Sequence, residues 1–250
     1  MDIVVSIIIP TFNASRTLGA ALESVMNQTF QQWECIVIDG ASKDNTLEVV
    51  QQYIDNDSRF SVISEPDNGI YDAMNKGWKI ASGEWIHYLG ADDELLSNGI
   101  KDLIENSYNQ DVVYGNTYLR FSNGKYKPQY SKEIIYIKKT MVTCHQSLIM
   151  KKDIIKELNG FNLKYKIIAD FDLILRCYIC GYRFRKSDAF ISVFSLNGTS
   201  ESNINRLILE RHIITRNNRS VRFPVVYTTY FFVKQNIAKI KHNTIDRLKI

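Results

Sequence analysis

Apolar and polar positions alternate along the first half of the chain so that strands and helices are predicted in turn. Short apolar runs rich in β-branched residues are typical of strands buried on both faces of a parallel sheet. Between them, apolar residues recur at three- and four-residue spacing, which predicts amphipathic helices. The predicted strands are Ile3–Ile9, Cys35–Ile38, Phe60–Ser64 and Trp85–Leu89, and the intervening helical series begin at Leu18, Leu47 and Ile70.

This alternating series predicts an α/β fold with a Rossmann-like, doubly wound sheet. In such sheets ligands bind beyond the carboxyl ends of the strands. Polar clusters follow all four predicted strands, and they are Pro10–Asn13, Asp39–Ser42, Glu65–Gly69 and Asp92–Asp93. We therefore expect these clusters to line one ligand-binding crevice.

The second half of the chain is less regular. Its predicted elements are extended strands over Asp111–Phe121 and Lys125–Ile137, a short strand over Ser147–Met150, a helix over Asp170–Cys180 and a strand over Tyr182–Phe194. From Glu201 onward the pattern is helical, with a break near Pro224. The chain is thus predicted to form one domain over residues 1–205, with halves at 1–95 and 96–205, and a C-terminal helical extension at 206–250.

Charge separates the domain from this extension. The 250 residues carry a net charge of +4, but the segment from Arg211 to Ile250 holds nine Lys or Arg and one Asp. That segment is therefore +8 and residues 1–210 are −4, which points to an anionic partner for the tail. Its uncharged run Val225–Val233 is too short to span a bilayer. It predicts either an amphipathic helix at a membrane surface or a helix packed on the domain.

The first apolar run is also too short for a membrane span, and no basic segment precedes it, so we expect an intracellular protein.

Adjacent carboxylates such as Asp92 and Asp93 repel each other unless a cation lies between them. Mg²⁺ and Mn²⁺ accept such oxygen ligands together with substrate phosphates. The alternative is an acid pair that caps the helix after Ser97. Asp39 offers a fixed strand-end acceptor for a uracil N3–H, or alternatively a tight turn into the next helix.

Four motifs in order resemble glycosyltransferase family 2, which has the GT-A fold. They are Ile7–Asn13, the pattern Asp39-Gly40-x-Ser42-x-Asp44-x-Thr46, Pro66–Gly77 and Leu89–Asp93. The run from Asp67 to Gly77 is similar to a branch found in bacterial exopolysaccharide and O-antigen clusters. The resemblance covers roughly residues 3–200.

The resemblance implies a nucleotide-sugar site and a metal site. Asp93 is implied as the ligand of Mn²⁺ or Mg²⁺. Gly90 and Ala91 precede the acidic pair, so no third acid is available there. The residues implied to contact the nucleotide-sugar are Pro10, Thr11, Asn13, Asp39, Asp67, Asn75 and Asp92.

The same resemblance places the catalytic base at the start of the helix after Ile168. Asp170 matches that acid, with Ala169 where the family usually has Glu, and Asp172 is expected to be structural. An N-cap role is the alternative for Asp170. His145 and Gln146 match a His-Gln motif and are expected to contact acceptor or diphosphate, or else to be structural.

The implied activity is that of an inverting, metal-dependent hexosyl- or N-acetylhexosaminyltransferase. It would move a sugar from a nucleotide-sugar, with UDP favoured, to a lipid-diphosphate-linked or oligosaccharide acceptor in bacterial surface polysaccharide synthesis. The protein would then lie in the cytoplasm, peripherally on the inner face of the membrane through residues 220–250. A non-catalytic nucleotide-sugar-binding or scaffold protein is the alternative. No G-x-G-x-x-G follows the first strand, which disfavours a dinucleotide oxidoreductase, and no nucleic-acid-binding motif is present.

Overall fold

The computed structural model describes residues 2–196 and 204–218. The described strands are β1 Val5–Thr11, β2 Trp33–Asp39, β3 Phe60–Ser64, β4 Trp85–Tyr88, β5 Glu94–Leu95, β6 Val112–Arg120, β7 Tyr126–Gln129, β8 Leu148–Lys151 and β9 Phe184–Ser195. The described α-helices are α1 Leu18–Met26, α2 Thr46–Asn56, α3 Ile70–Ile80, α4 Gly99–Glu105, α5 Lys152–Glu157, α6 Ala169–Ile179 and α7 Ile204–Asn217. Short 3-10 helices cover Ile134–Lys138 and His145–Ser147.

One mixed sheet organises the first compact unit, with strand order β3-β2-β1-β4-β8-β6-β9-β5 and β7 paired with β6. Strands β1 to β4 are mutually parallel, as the alternating pattern predicts. Strand β8 runs antiparallel to both β4 and β6, while β9 runs parallel to β6. The sheet is therefore parallel at the end built from the first half of the chain and mixed at the other.

Helices cover both faces of the parallel end. Ile7 packs in the core cluster that also contains Leu22 from α1. Its neighbour Ile8 points to the opposite face, where a Cβ on Gly77 of α3 would lie only 2.5 Å from the Ile8 Cγ2. Glycine at position 77 therefore allows α3 to approach β1 closely, and the doubly wound arrangement follows from alternate strand residues facing opposite sides.

One prediction for the second half is corrected, and one helix there has no counterpart in the prediction. The predicted strand Lys125–Ile137 ends as β7 at Gln129, and Ile134–Lys138 forms a 3-10 helix instead. In that helix Ile137 is fully buried while Ile135 and Tyr136 are exposed, a spacing that differs from the period of two required by a half-buried strand. Helix α5 was not predicted, because six residues are too few to establish a helical period.

The chain divides into two compact units between Gly198 and Thr199. Within the second unit, α7 spans Ile204–Asn217. The predicted membrane-contacting segment 220–250 lies outside the described residues. In the part of the chain that is described, no helix combines the length and apolar character needed to cross a bilayer.

Candidate active site

The carboxyl ends of three parallel strands lie side by side. Thr11 is paired in register with Asp39, and Asp39 with Ser64. Beyond the strands, the Gly40 N–H donates to the Thr11 carbonyl over 2.8 Å, and the Glu65 N–H donates to the Asp39 carbonyl over 3.0 Å. Three of the four strand-end clusters predicted to meet therefore form one continuous edge.

The loop after β1 is tied to the loop after β2 through Asn13. Its side-chain oxygen accepts from the Lys43 N–H over 2.8 Å, and its own N–H donates to the Ser42 hydroxyl over 2.7 Å. Asn13 adopts a positive φ of 49°, a conformation that asparagine tolerates better than most residues. Asn13 is exposed at the edge, so it both shapes the loop and faces solvent there.

Asp39 lies at the floor of this edge and is fully buried. Its Oδ2 accepts from the Ser42 N–H over 3.0 Å and from the Ser64 hydroxyl over 2.6 Å. Its Oδ1 accepts from the Ser42 hydroxyl. Pro10 and Thr11, the last residues of β1, are also buried. The predicted uracil-reading acid is thus already held in place by neutral donors.

Above this floor, Phe12 and Asp67 flank Gly40. A Cβ on Gly40 would lie 2.6 Å from the Asp67 Oδ2 and 3.3 Å from the Phe12 Cδ2. The Phe12 ring is 63% exposed, although it belongs to a loop between two buried elements. Asp67 Oδ1 accepts from the Gly69 N–H over 2.8 Å, which fixes the third loop. An aromatic side chain and a carboxylate therefore lie close to Gly40, the residue that follows Asp39.

The two members of the acidic pair have different surroundings. Asp93 is 1% exposed, and its Oδ1 accepts from the Ser195 N–H over 2.8 Å. Its Oδ2 accepts from the Gln146 side-chain amide over 2.6 Å. Asp92 is half-buried, and its backbone carbonyl accepts from Arg120 over 3.0 Å. The structure therefore buries Asp93 beneath a more open Asp92.

The charge on Asp93 is incompletely compensated. Burial and the nearby charge of Asp92 raise its pKa to about 6, although the hydrogen bonds from Ser195 and Gln146 act in the opposite direction. Among the described residues no Lys or Arg forms an ion pair with Asp93. A divalent cation would relieve this repulsion, so the donor set fits Mg²⁺ or Mn²⁺. Residues 2–196 and 204–218 contain no group of three or more His, Cys, Asp or Glu that could hold a metal ion by themselves.

Asp170 lies in the first turn of α6, as predicted, and is held from two sides. Its Oδ2 lies 3.2 Å from the His145 Nδ1. Its Oδ1 accepts from the Tyr71 hydroxyl over 3.2 Å, and the same hydroxyl lies 2.8 Å from the Ile167 carbonyl. The Asp170 side chain keeps 16% of its surface exposed, enough to meet a substrate hydroxyl.

Consecutive residues connect the two acidic centres. His145 contacts Asp170, and Gln146 contacts Asp93. Both belong to the 3-10 turn His145–Ser147, whose Ser147 hydroxyl is buried and bonded to Thr117 over 2.7 Å. The turn is anchored in the sheet, so it fixes the separation between the acids.

Two other residues have structural contacts. Asn75 is 8% exposed and exchanges two hydrogen bonds of 2.9 Å with the Phe161 backbone, while its oxygen also accepts from Trp78. These contacts occupy the side chain in joining α3 to the loop after α5, so we do not retain Asn75 as a nucleotide contact. Asp172 is buried and accepts from Arg176 over 2.8 Å, the structural position expected for it.

The sequence reasoning missed Phe12, Tyr71 and Arg120. Phe12 and Tyr71 lie inside motifs that were recognised, and an aromatic residue at a strand end or helix start was the available signal. Arg120 ends β6, pairs with Glu94 and reaches the Asp92 carbonyl, a connection across 28 residues that no local pattern shows.

Comparisons with known proteins identify the family of this chain. The family model described as Glycosyl transferase family 2 matches residues 6–189. A PGL/p-HBAD biosynthesis glycosyltransferase of Mycobacterium bovis is 33% identical over 178 residues, 69% of each chain. A UDP-Glc:α-D-GlcNAc-diphosphoundecaprenol β-1,3-glucosyltransferase of Escherichia coli is 36% identical over 118 residues, 46% of each chain.

A solved structure shows the same fold. The mannosyltransferase PcManGT of Pyrobaculum calidifontis, in complex with GDP-Man and Mn²⁺, superposes with a TM-score of 0.70 at 16% identity. The match covers 91% of this chain and 68% of that one. The mixed sheet with its acidic strand-end loop is thus a GT-A fold, as the sequence motifs predicted, and the chain belongs to glycosyl transferase family 2.

Proposed function

We propose that this protein transfers a sugar from a nucleotide-sugar, a UDP-sugar first of all, to a hydroxyl of a lipid-diphosphate-linked or oligosaccharide acceptor, with inversion at the anomeric carbon. One observation carries the proposal. The acids at Asp93 and Asp170 are held by the adjacent residues Gln146 and His145. A family 2 transferase needs one acid for the donor diphosphate and another for the acceptor. The 3-10 turn His145–Ser147 contacts both of these acids.

The base of the donor would bind at the edge formed by the loops after β1, β2 and β3. Asp39 is the acceptor proposed for a uracil N3–H, and Phe12 and Asp67 lie close to Gly40, the residue that follows it. Phe12 offers its exposed face for stacking. The ribose and diphosphate are proposed to contact Thr11, Asn13 and Asp92, which lie at the ends of β1 and β4 or in the loops after them. The Escherichia coli relative is named for a UDP-Glc donor, which supports UDP over other nucleotides.

Asp93 is the residue proposed to hold the divalent cation, with Asp92 beside it. When bound, the cation supplies positive charge that stabilises the leaving nucleoside diphosphate. Gln146 holds the Asp93 carboxylate in one orientation, and outer hydrogen bonds of this kind commonly tune metal affinity. The Ser195 N–H fixes the other oxygen, so Asp93 cannot rotate away from the site.

On the acceptor side, Asp170 is the proposed general base. It takes the proton of the acceptor hydroxyl as that oxygen forms its bond to the anomeric carbon. The bond between that carbon and the diphosphate oxygen breaks on the opposite side, which inverts the configuration. His145 and Tyr71 hold the carboxylate so that it faces the incoming hydroxyl. General-base help of this kind contributes about 10²–10⁴-fold.

The acceptor is proposed from the relatives and from the charge distribution. The Escherichia coli relative is named for a diphosphoundecaprenol-linked acceptor. A lipid-linked acceptor would place the protein at the inner face of the cytoplasmic membrane, where the basic segment 220–250 can meet anionic lipid.

The deciding experiment is a donor panel of UDP-hexoses, UDP-N-acetylhexosamines and GDP-mannose with Mn²⁺ and lipid-diphosphate acceptors. Nucleoside diphosphate release and the anomer of the product are read. Asp170→Asn is expected to lower kcat by about 10²–10⁴-fold while donor affinity stays unchanged. Asp93→Asn is expected to abolish the metal dependence of donor binding. Transfer at the wild-type rate by both variants would contradict the roles proposed for Asp93 and Asp170. Absence of transfer by the wild type, with the donor still bound, would support the non-catalytic alternative, and a retained anomer would exclude the inverting mechanism.

A further inference from the structure

A surface formed by one aromatic-rich segment stands apart from the rest of the first unit by its charge. Residues 121–140 contain five lysines and a single acid, Glu133, so the segment is +4. Residues 1–198 hold 21 Lys or Arg and 24 Asp or Glu, so the remainder of the first unit is −7. The five lysines are exposed, and Glu133 is paired with Lys186 over 3.1 Å. This segment is the basic face of an otherwise acidic domain.

The same segment exposes large apolar and aromatic side chains. Tyr126, Tyr130, Ile135 and Tyr136 are each 50% exposed or more. Across the described residues only three other large hydrophobic side chains reach that exposure, and they lie far apart in sequence: Phe12, Tyr108 and Leu209. Concentrated exposure of this kind marks an interaction surface, whereas single exposed apolar residues need no explanation. We name residues 125–139 the tyrosine–lysine surface.

The tyrosine–lysine surface is firmly supported. Strand β7 pairs with β6 through Tyr126 to Gln129. Tyr130 packs edge-on against Phe190 at 5.6 Å, and Phe190 stacks on Tyr118 at 4.2 Å. Tyr126 is therefore held by the sheet and Tyr130 by an aromatic contact, while Ile135 and Tyr136 belong to the 3-10 helix that follows. Side chains held in this way lose little conformational freedom when a partner covers them.

This surface is continuous with the acceptor side of the site. The Lys132 N–H donates to the Val142 carbonyl over 2.9 Å. The Gln129 side chain lies 3.4 Å from the Cys144 Sγ, and Cys144 directly precedes His145. A partner lying on the tyrosine–lysine surface would thus be close to the proposed base.

We propose that the tyrosine–lysine surface docks on an anionic lipid bilayer. Lysines are attracted to anionic headgroups, and tyrosines favour the interface between headgroups and acyl chains. Ile135 adds an aliphatic side chain that can enter the acyl boundary. A soluble polyanion would use the lysines but would leave the exposed tyrosines and isoleucine without a role. The bilayer accounts for both, and it would bring a lipid-anchored acceptor to Asp170.

The proposal rests on the proposed function only for the identity of that acceptor, and vesicle binding can be measured without transfer. The full chain is sedimented with phosphatidylglycerol–phosphatidylcholine vesicles, without donor or metal. A charge variant, Lys125→Glu/Lys127→Glu/Lys132→Glu, is compared with Lys79→Glu/Lys101→Glu/Lys156→Glu, which changes the net charge equally on three separate helices. Partitioning of the first variant is expected to weaken by on the order of 100-fold, from about 1 kcal/mol per lysine, and that of the control far less.

An apolar variant separates a bilayer from other anions. Tyr126→Ser/Ile135→Ser is expected to weaken vesicle binding at least fivefold, while Ile80→Ser/Tyr108→Ser has no effect. If variants of the tyrosine–lysine surface and their control variants bind vesicles equally, the proposal is overturned. This holds both if segment 220–250 binds the lipid instead and if no segment of the chain binds it. If these variants lose dextran sulfate binding while vesicle binding is unchanged, the surface binds a soluble polyanion. If they lose self-association instead, the surface binds a second copy of the chain. Either result would also overturn the bilayer proposal. Normal vesicle binding without sugar transfer would instead count against the proposed function alone.

Discussion

The Nδ1 atom of His145 lies 3.2 Å from the Oδ2 atom of Asp170 across 25 residues of sequence. The imidazole is largely buried, and its Nε2 has no hydrogen-bond partner among the described residues. With neutral His145, the Nδ1 must carry the proton in order to donate to the carboxylate. His145 thus orients Asp170, and the next residue in the chain orients Asp93.

This relationship predicts a difference between two substitutions of His145. In His145→Asn the amide nitrogen can take the place of Nδ1, so Asp170 keeps its donor and kcat is expected to fall less than fivefold. His145→Ala removes the donor, and kcat is expected to fall about 10- to 100-fold with the donor KM unchanged. Steady-state kinetics with saturating Mn²⁺ measures both. Equal losses in the two variants would show that His145 does not act by positioning the base.

Gln146 predicts a separate effect on the metal. In Gln146→Leu the Asp93 Oδ2 loses its donor, so the Mn²⁺ concentration for half-maximal donor binding is expected to rise about 10- to 100-fold. At saturating Mn²⁺ the kcat should recover to within a few fold, because Asp170 is untouched. Calorimetric titration of the donor at several Mn²⁺ concentrations measures the effect. Asn75→Ala is the comparison, and it should lower the melting temperature without changing the Mn²⁺ requirement, since Asn75 joins α3 to Phe161.

Phe12 predicts a contribution to donor affinity from its ring. Stacking of a nucleobase on an aromatic side chain contributes about 1–3 kcal/mol. Phe12→Ala is therefore expected to raise the donor KM by roughly 5- to 150-fold, with kcat changed little. Because the ring is 63% exposed, the melting temperature should stay the same. Tyr108→Ala, at a side chain 85% exposed, serves as the control and should leave the KM unchanged. An unchanged KM in Phe12→Ala would exclude base stacking there.

His87 predicts a loss of stability in acid. Burial lowers the pKa of His87 to about 4, below its ordinary value of 6.5, and its Nδ1 lies 3.0 Å from the Leu148 carbonyl. Because the pKa is lower in the folded state, this contribution to stability is complete above pH 6.5 and is lost as the pH falls toward 4. The loss is on the order of 3 kcal/mol, from 1.36 kcal/mol per pKa unit.

The raised pKa of Asp93 acts in the opposite direction, so stability increases as the pH falls from about 6 toward 4. The measurement is therefore the difference between wild type and His87→Asn in urea unfolding at pH 7, 5.5 and 4.5 in EDTA. Relative to wild type, the variant should gain stability as the pH falls. A constant difference across these pH values would contradict the buried neutral histidine.

The local pattern predicted more of the parallel half than of the mixed half. Strands β1 to β4 agree with prediction to within two residues at either end because each is a short apolar run bounded by polar turns. The segment after Gln129 was predicted as strand, yet it forms a 3-10 helix in which Ile137 is buried and its neighbours are exposed. Several apolar residues in a row are compatible with the two-residue period of a strand and with the period of a helix. Only the position of the underlying core could decide which of the two structures forms.

The sequence by itself determined that Thr11, Asp39 and Asp93 would follow buried strands, because strand length and burial are local properties and parallel strand ends share one edge. It could not determine which acids are exposed, which donors hold them, or that Asn75 would serve the packing of α3. Those features depend on contacts across 25 residues for His145 and Asp170, and across 53 for Gln146 and Asp93. Only the folded sheet brings such distant side chains within hydrogen-bonding distance, and so only the tertiary structure joined the two acids through one turn.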